Sequence, residues 1–264
     1  MLKKEYIWSD LQILILKNSI LQNVALIPAR YDAQRFPGKL LKPLGKNTVL
    51  GQTYQAAVDS SLFDEVVVVT DSDPIALHIE EIGGKVLLRK EEHVCGSDRI
   101  AAVAHEFEAE ILVNIQGDEP FLDTQSLKAL LSVFKEDSDK EIALASLMNP
   151  LNSQEEIEDP NVVKVVVNMQ KQALYFSRYP IPYNRSANPH QKYYKHRGVY
   201  AFRKEALIAF SQQPLTPLEE AEKIECLRFL EMGHRIQMIE TNQEGIGIDT
   251  PHDLERARAI HPKK

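Results

Sequence analysis

The strongest constraint is an alternation that starts at Val24, where short runs rich in Val, Ile and Leu recur between stretches whose apolar residues fall at helical spacing. A chain patterned this way folds as βαβ units around a largely parallel sheet, because parallel neighbours need a long crossover and a helix usually supplies it. Strands are expected over 24–28, 66–70, 85–88, 111–116, 142–148 and 162–168, and helices over 48–60, 74–82, 97–107 and 124–134. Past residue 162 the pattern changes. Expected strands over 173–177 and 196–203 flank a polar, proline-containing stretch, 180–191, which reads as an excursion from the main sheet with a dimer-forming hairpin as one use. A helix over 218–232, an apolar segment over 236–239 and a closing helix from Pro251 follow. Residues 1–23 precede the first strand as an extension without an assigned role.

Composition bounds the function classes. The 264 residues suffice for one large α/β domain, and 44% hydrophobic with 26% charged residues is the make-up of a folded chain. A formal net charge of −7 argues against general affinity for nucleic acid or anionic lipid, so an anionic ligand has to be met by a local basic patch. The two cysteines, Cys95 and Cys226, lie far apart without metal-finger spacing, which points to a reducing, cytoplasmic setting. No signal peptide is read, and no stretch reaches the roughly 20 apolar residues of a membrane-spanning helix, so membrane insertion is not expected.

The basic patch follows the first strand. Between residues 30 and 46 stand Arg30, Arg35, Lys39, Lys42 and Lys46 against a single acid, Asp32, with Pro37-Gly38 as a turn. Guanidinium forks, ammonium groups and exposed backbone N–H groups at a strand-to-loop junction suit phosphate, although any one of these residues alone fits a solvated loop equally well. Gly45-Lys46 continues into Asn47 and is no P-loop, and Gly245-Ile246-Gly247 lacks the third glycine of a dinucleotide fingerprint. The segment 113–120 ends an apolar strand in Gly117-Asp118, where the carboxylate suits a hard cation such as Mg2+ or an ordinary turn. Before the closing helix, Thr250 can cap, Pro251 fits the first helical position and Asp253 completes a capping box. Asp249 is then left over as a partner for Asp118 on a metal.

Read together, IPARYDAQRFPGK (27–39), VTDSD (69–73), GSDR (96–99), NIQGDEP (114–120), ALYFSR (173–178), HRGVY (196–200), PLEEAEKIECLR (217–228) and DTPHDL (249–254) closely resemble the 3-deoxy-manno-octulosonate cytidylyltransferases, or CMP-Kdo synthetases, across residues 24–260. The resemblance implies a Rossmann-like nucleotidyltransferase fold of the α/β class, a mixed, mostly parallel sheet flanked by helices, forming one domain over 24–264 with a smaller strand-containing dimerisation and sugar-binding region near 173–203. It implies an enzyme that joins CTP to the sugar acid Kdo, releases pyrophosphate and gives CMP-Kdo for lipopolysaccharide assembly, with Mg2+ as cofactor and a homodimer as its form. By the same similarity Arg30, Arg35 and Lys39 grip the triphosphate with Ala29 close by, Asp71, Ser97 and Arg99 shape the nucleotide pocket, and Asp118 and Asp249 ligate magnesium. Gln116, Arg178, His196, Tyr200 and Glu225 are implied to line the sugar pocket, with His196 read as a hydrogen-bonding group rather than a general base.

Two departures stand out. The family's Leu-Glu-Gln-Leu-Arg run is Ile224-Glu225-Cys226-Leu227-Arg228 here, replacing an expected sugar-side glutamine, while Cys95 and Ser97 stand where serine and threonine are common. The first leaves room for a related acceptor such as amino-Kdo or a sialic acid; the second is read as tolerated variation. A non-catalytic nucleotide-binding homologue is the rival from another class, and the retained Asp118, Asp249 and basic loop argue against it.

Overall fold

A computed structural model describes residues 22–32, 35–93, 95–243 and 245–260. The expectation for the N-terminal extension therefore lies almost wholly outside the described residues.

In chain order the elements are β1 (Asn23–Ala29), β2 (Pro43–Leu44), β3 (Asn47–Thr48), α1 (Val49–Asp59), β4 (Glu65–Thr70), α2 (Asp73–Glu81), β5 (Lys85–Leu88), α3 (Gly96–Val103), β6 (Ile111–Ile115), α4 (Thr124–Glu136), β7 (Ile142–Leu151) and α5 (Gln154–Glu158). There follow β8 (Lys164–Val167), β9 (Ala173–Ser177), β10 (Tyr193–Arg203), α6 (Lys204–Ser211), α7 (Pro217–Glu222), α8 (Cys226–Glu231), β11 (Arg235–Glu240) and α9 (Pro251–Ile260). The main path of a nine-stranded sheet runs β11-β7-β10-β6-β1-β4-β5, and β8 and β9 hang from β10. Within that path β10 alone runs antiparallel to its neighbours. The mixed, mostly parallel sheet expected from the sequence is therefore present.

β1 is buried along almost its whole length, which is why it reads as a continuous apolar run rather than an alternation. Ala25 and Ile27 join a core with α1, α4 and α9, whereas Val24 and Leu26 face α3, α6 and α8. Helix starts are fixed locally: Thr48 accepts from the Gly51 amide, Asp123 from Ser126, and Thr250 and Asp253 exchange bonds as the expected capping box.

Two expectations are corrected. The segment 196–203 belongs to β10, which lies between β6 and β7 in the main sheet, with the excursion reduced to the β8–β9 hairpin and the loop that follows. The helix expected over 218–232 is two helices, broken at Lys223 with φ 53°. There the Glu222 carboxylate accepts from Ser177 Oγ and the Arg178 amide, and Arg178 Nε donates to the Glu222 carbonyl. These distant partners take up groups that a continuous helix would need.

Candidate active site

The site lies at the carboxyl ends of β1 and β6, where β4 and β6 flank β1 on opposite sides and a crevice opens above the sheet. Gly38 turns the basic loop with φ 68°, a conformation open to glycine, and its amide donates to the Tyr31 carbonyl, closing the loop. A short 3-10 turn, Lys39–Leu41, then points Lys39 inward. Its side chain is 10% exposed and its Nζ donates to Asp118 Oδ2 at 2.5 Å and Asp249 Oδ1 at 2.9 Å. Arg35 adds Nη2 to Asp249 Oδ2 at 3.1 Å and donates through Nη1 to Asn161 Oδ1 at 3.3 Å.

Each carboxylate has its own support. Thr53 Oγ1 donates to the Gly117 carbonyl, and the Asp118 carbonyl accepts from the Ile248 amide at 2.9 Å. Because Asp253 serves the helix cap, the Asp249 side chain is left for the site. Burial opposes charge on both Lys39 and Asp249, yet their mutual attraction wins: the Lys39 ammonium is held above its ordinary pKa and the Asp249 carboxyl below its own. Two carboxylates sharing one ammonium make a ready position for a cation. Among the described residues no cluster of three or more His, Cys, Asp or Glu side chains is arranged to hold a metal, so an ion here would complete its shell from phosphate and water. That is the habit of Mg2+, and the hard-oxygen donor set fits it.

Three cavities adjoin along the crevice. One of about 330 Å3 is lined by Arg30, Arg35, Lys39, Gln116, Asp118 and Asp249. A second, about 540 Å3, shares Arg30 and adds Asp71, His93 and Arg99. Arg99 is 6% exposed and donates through Nη2 to Asp71 Oδ2 at 2.6 Å, while its buried Nη1 has no protein partner. Ala29 and Ser97 are buried and line none of these cavities, and Ser97 Oγ accepts from Asn114 Nδ2. Cys95 serves as the α3 cap, its Sγ accepting from the Asp98 amide.

The third cavity, about 820 Å3, shares Gln116, Asp118 and Asp249 with the first and adds His196 and Tyr200, together with Lys195 and Arg256. Two residues expected on its wall are elsewhere. Arg178 spends its guanidinium on the carbonyls of Pro160, Glu222 and Lys223, and so staples loops. Glu225 turns its carboxylate to the Ser97 amide; desolvation raises its pKa, against the pull of bonds from Cys95 and Ser97. His196 is packed against Phe176 and Tyr200, and Nε2 lies 2.9 Å from Ser146 Oγ. Loss of solvent lowers its pKa to about 3, so it is neutral near pH 7 and a poor base. Cys226 is 1% exposed, 4.0 Å from His196 Nε2, and stands behind the cavity wall rather than on it.

The sequence reading missed Asn161, which holds Arg35, and Lys164, whose fully buried ammonium donates to the carbonyls of Asp159, Val162 and Arg178. It also missed the ion pair of Arg197 and Glu119, with Nη2 to Oε2 at 2.7 Å. Burial raises the Glu119 pKa against the pull of Arg197. The one available signal was an acid directly after Asp118 and an arginine directly after His196.

A sheet whose carboxyl edge joins a cationic loop to two carboxylates has the parts that nucleotidyl transfer requires. A family model described as Cytidylyltransferase matches residues 24–236. A 3-deoxy-manno-octulosonate cytidylyltransferase of Christiangramia forsetii is 54% identical over 237 residues, 90% of this chain and 96% of its own. One from Flavobacterium johnsoniae is 53% identical over 90% and 97%. Among solved structures, CMP:2-keto-3-deoxy-manno-octonic acid synthetase complexed with CTP superposes with a TM-score of 0.85 at 38% identity, covering 90% of this chain and 98% of that one. The chain belongs to the 3-deoxy-manno-octulosonate cytidylyltransferase family.

Proposed function

We propose that the protein transfers the cytidylyl group of CTP to the anomeric hydroxyl of Kdo. The hydroxyl oxygen forms a bond to the α-phosphorus as its O–H bond breaks, the bond from that phosphorus to the bridging oxygen breaks, and pyrophosphate leaves with the electron pair, the hydroxyl proton passing through water to the departing pyrophosphate. The observation that carries this reading is Lys39 held between Asp118 and Asp249 with Arg35 alongside, at the junction of the phosphate-side and sugar-side cavities.

Arg30, Arg35 and Lys39 draw the triphosphate into the crevice and neutralise the charge that grows on the departing pyrophosphate. Arg99, held by Asp71, borders the cavity that takes the nucleoside, and the buried Ala29 and Ser97 lie close by. Gln116, Tyr200 and neutral His196 orient the sugar acid from the opposite wall. Asp118 and Asp249 are the residues that would hold Mg2+, whose chemistry there is to acidify a bound hydroxyl and offset phosphate charge. Positioning of two anionic substrates does most of the work, and no covalent enzyme intermediate is needed.

Exposed Met169, Leu174, Tyr179 and Tyr183 on and beside the β8–β9 hairpin support a homodimer formed through this region. Light scattering on the purified chain checks it, with twice the chain mass expected. Both cysteines are free thiols, in keeping with the cytoplasm, and among the described residues no helix is long and apolar enough to cross a membrane.

The test is turnover of CTP, UTP, ATP and GTP with Kdo, each with Mg2+ and with EDTA. Pyrophosphate is expected from CTP with Mg2+ alone. Equal use of UTP would refute the cytosine reading, and full activity in EDTA would remove the metal from the account.

A further inference from the structure

The two carboxylates of the site come from elements that share no secondary structure: Asp118 from the turn after β6, and Asp249 from the segment 245–249 that leads into α9. Among the described residues their backbones meet at a hydrogen bond from the Ile248 amide to the Asp118 carbonyl at 2.9 Å. Lys39 joins the two carboxylates and Asn149 holds the Thr241 and Gln243 carbonyls, but neither of them ties the chain beside Asp118 to the chain beside Asp249, so a further side-chain tie between those two segments steadies both carboxylates on one cation.

Arg197 supplies that tie. It sits where β10 slips register against β7, and it is 6% exposed. Nη2 donates to Oε2 of Glu119, the residue after Asp118, and Nη1 donates to the Gln243 carbonyl at 3.3 Å. The guanidinium lies so close over Gly245 that a Cβ there would stand 2.0 Å from Nη2, and a Cβ on Gly247 would stand 3.2 Å from Glu119 Oε1. The side chains thus fill the seam between the two carboxylate-bearing segments: a side chain at Gly245 would displace the guanidinium, while one at Gly247 would only crowd Glu119.

We propose that Arg197, acting through Glu119, is a positioning residue that sets Asp118 and Asp249 at the separation a shared cation requires. The proposal rests on the reading of these two carboxylates as the Mg2+ ligands, and its test separates the two ideas. Arg197 borders the sugar-side cavity, but its guanidinium is spent on Glu119 and the Gln243 carbonyl, so its effect falls on the position of the carboxylates and on metal demand rather than on the chemical step.

The test uses Arg197→Leu in the full chain, with two readouts. Amide exchange at Ile248 is expected to quicken at least tenfold while amides of β1 and β6 keep their rates. The Mg2+ concentration for half-maximal turnover is expected to rise about tenfold or more, as when a supporting partner of a metal ligand is lost. Turnover at saturating Mg2+ recovers in part. Arg197→Lys, which keeps one bond to Glu119 but loses the fork to Gln243, falls between. Should the leucine variant not fold, Glu119→Gln keeps the shape, removes the charge and is expected to move both readouts in the same direction. Unchanged Ile248 exchange together with unchanged Mg2+ demand would overturn the proposal whatever the loss in Tm. If wild-type turnover ignores Mg2+, the metal reading fails instead, and Ile248 exchange alone decides whether Arg197 fixes the two segments.

Discussion

His196 is expected to make the protein lose stability in mild acid, by an amount that follows from its surroundings. The Ser146 hydroxyl lies 2.9 Å from the Val199 carbonyl and 3.1 Å from that of Arg197, and it has one proton to give. Spent on a carbonyl, that proton leaves the oxygen to accept from His196 Nε2–H at 2.9 Å, which fixes the neutral tautomer. A second proton would put charge on a ring packed between Phe176 and Tyr200, and desolvation lowers its pKa from 6.5 to about 3. The unfolded chain takes up that proton as pH falls through about 6.5 while the folded chain refuses it. The stabilisation is therefore complete above that pH and declines as pH drops toward the folded value. Between pH 7 and pH 5 the loss from this one group is about 2 kcal/mol. His196→Gln retains an N–H for Ser146 and cannot titrate. Urea unfolding of both forms at pH 7 and pH 5 is the assay: the wild type is expected to lose about 2 kcal/mol more than the variant. Equal losses would show that His196 protonates in the folded state, and an acid limb near pH 6.5 in kcat that vanished in the variant would restore it as a general base.

Other substitutions follow from the same contacts. Arg35→Ala and Asp118→Ala are each expected to cut kcat by about 10²-fold or more while unfolding stays cooperative, and near-normal turnover would remove that residue from the mechanism. Arg228 is 3% exposed, bonds Glu219 at 2.6 and 2.7 Å and stacks 3.9 Å over Phe210. Arg228→Met strands the buried Glu219 carboxylate and takes a partner from Asp98, and is expected to cost about 3–5 kcal/mol in urea unfolding, only part of it regained when Glu219→Met is added. Cys226→Gln forces an amide into a closed space behind His196 and Tyr200. It is expected to cost about 1–3 kcal/mol and to raise the KM for the sugar acid more than that for CTP.

What the sequence revealed and what it hid divide along the range of the interactions. The continuous apolar run of β1, the cap at Thr250 and the cation-rich loop are local patterns, and each told its own role. The spare carboxylate of Asp249 was legible because its neighbours visibly satisfied the helix cap. Arg178 and Glu225 were placed on the sugar wall by resemblance, but their partners at Glu222, Pro160 and Ser97 come from segments distant in the chain that no spacing rule reports. The break at Lys223 has the same origin. Lys164 was hidden for the opposite reason: inside a run of valines its charge reads as a solvent-facing position, whereas three backbone carbonyls satisfy it in the interior. Arg197 looked like an ordinary neighbour of His196 until the fold brought Glu119 and Gly245 against it.

Acceptor choice tests the central claim most directly. Pyrophosphate release is measured with CTP and Mg2+ in the presence of Kdo, amino-Kdo, a sialic acid or no sugar. Release with Kdo, and background rates with the others, is the predicted result. Preference for another sugar acid would keep the cytidylyl chemistry but contradict the acceptor assignment and turn attention to Cys226 behind His196. Silence with every acceptor, despite measurable CTP binding, would contradict catalysis itself.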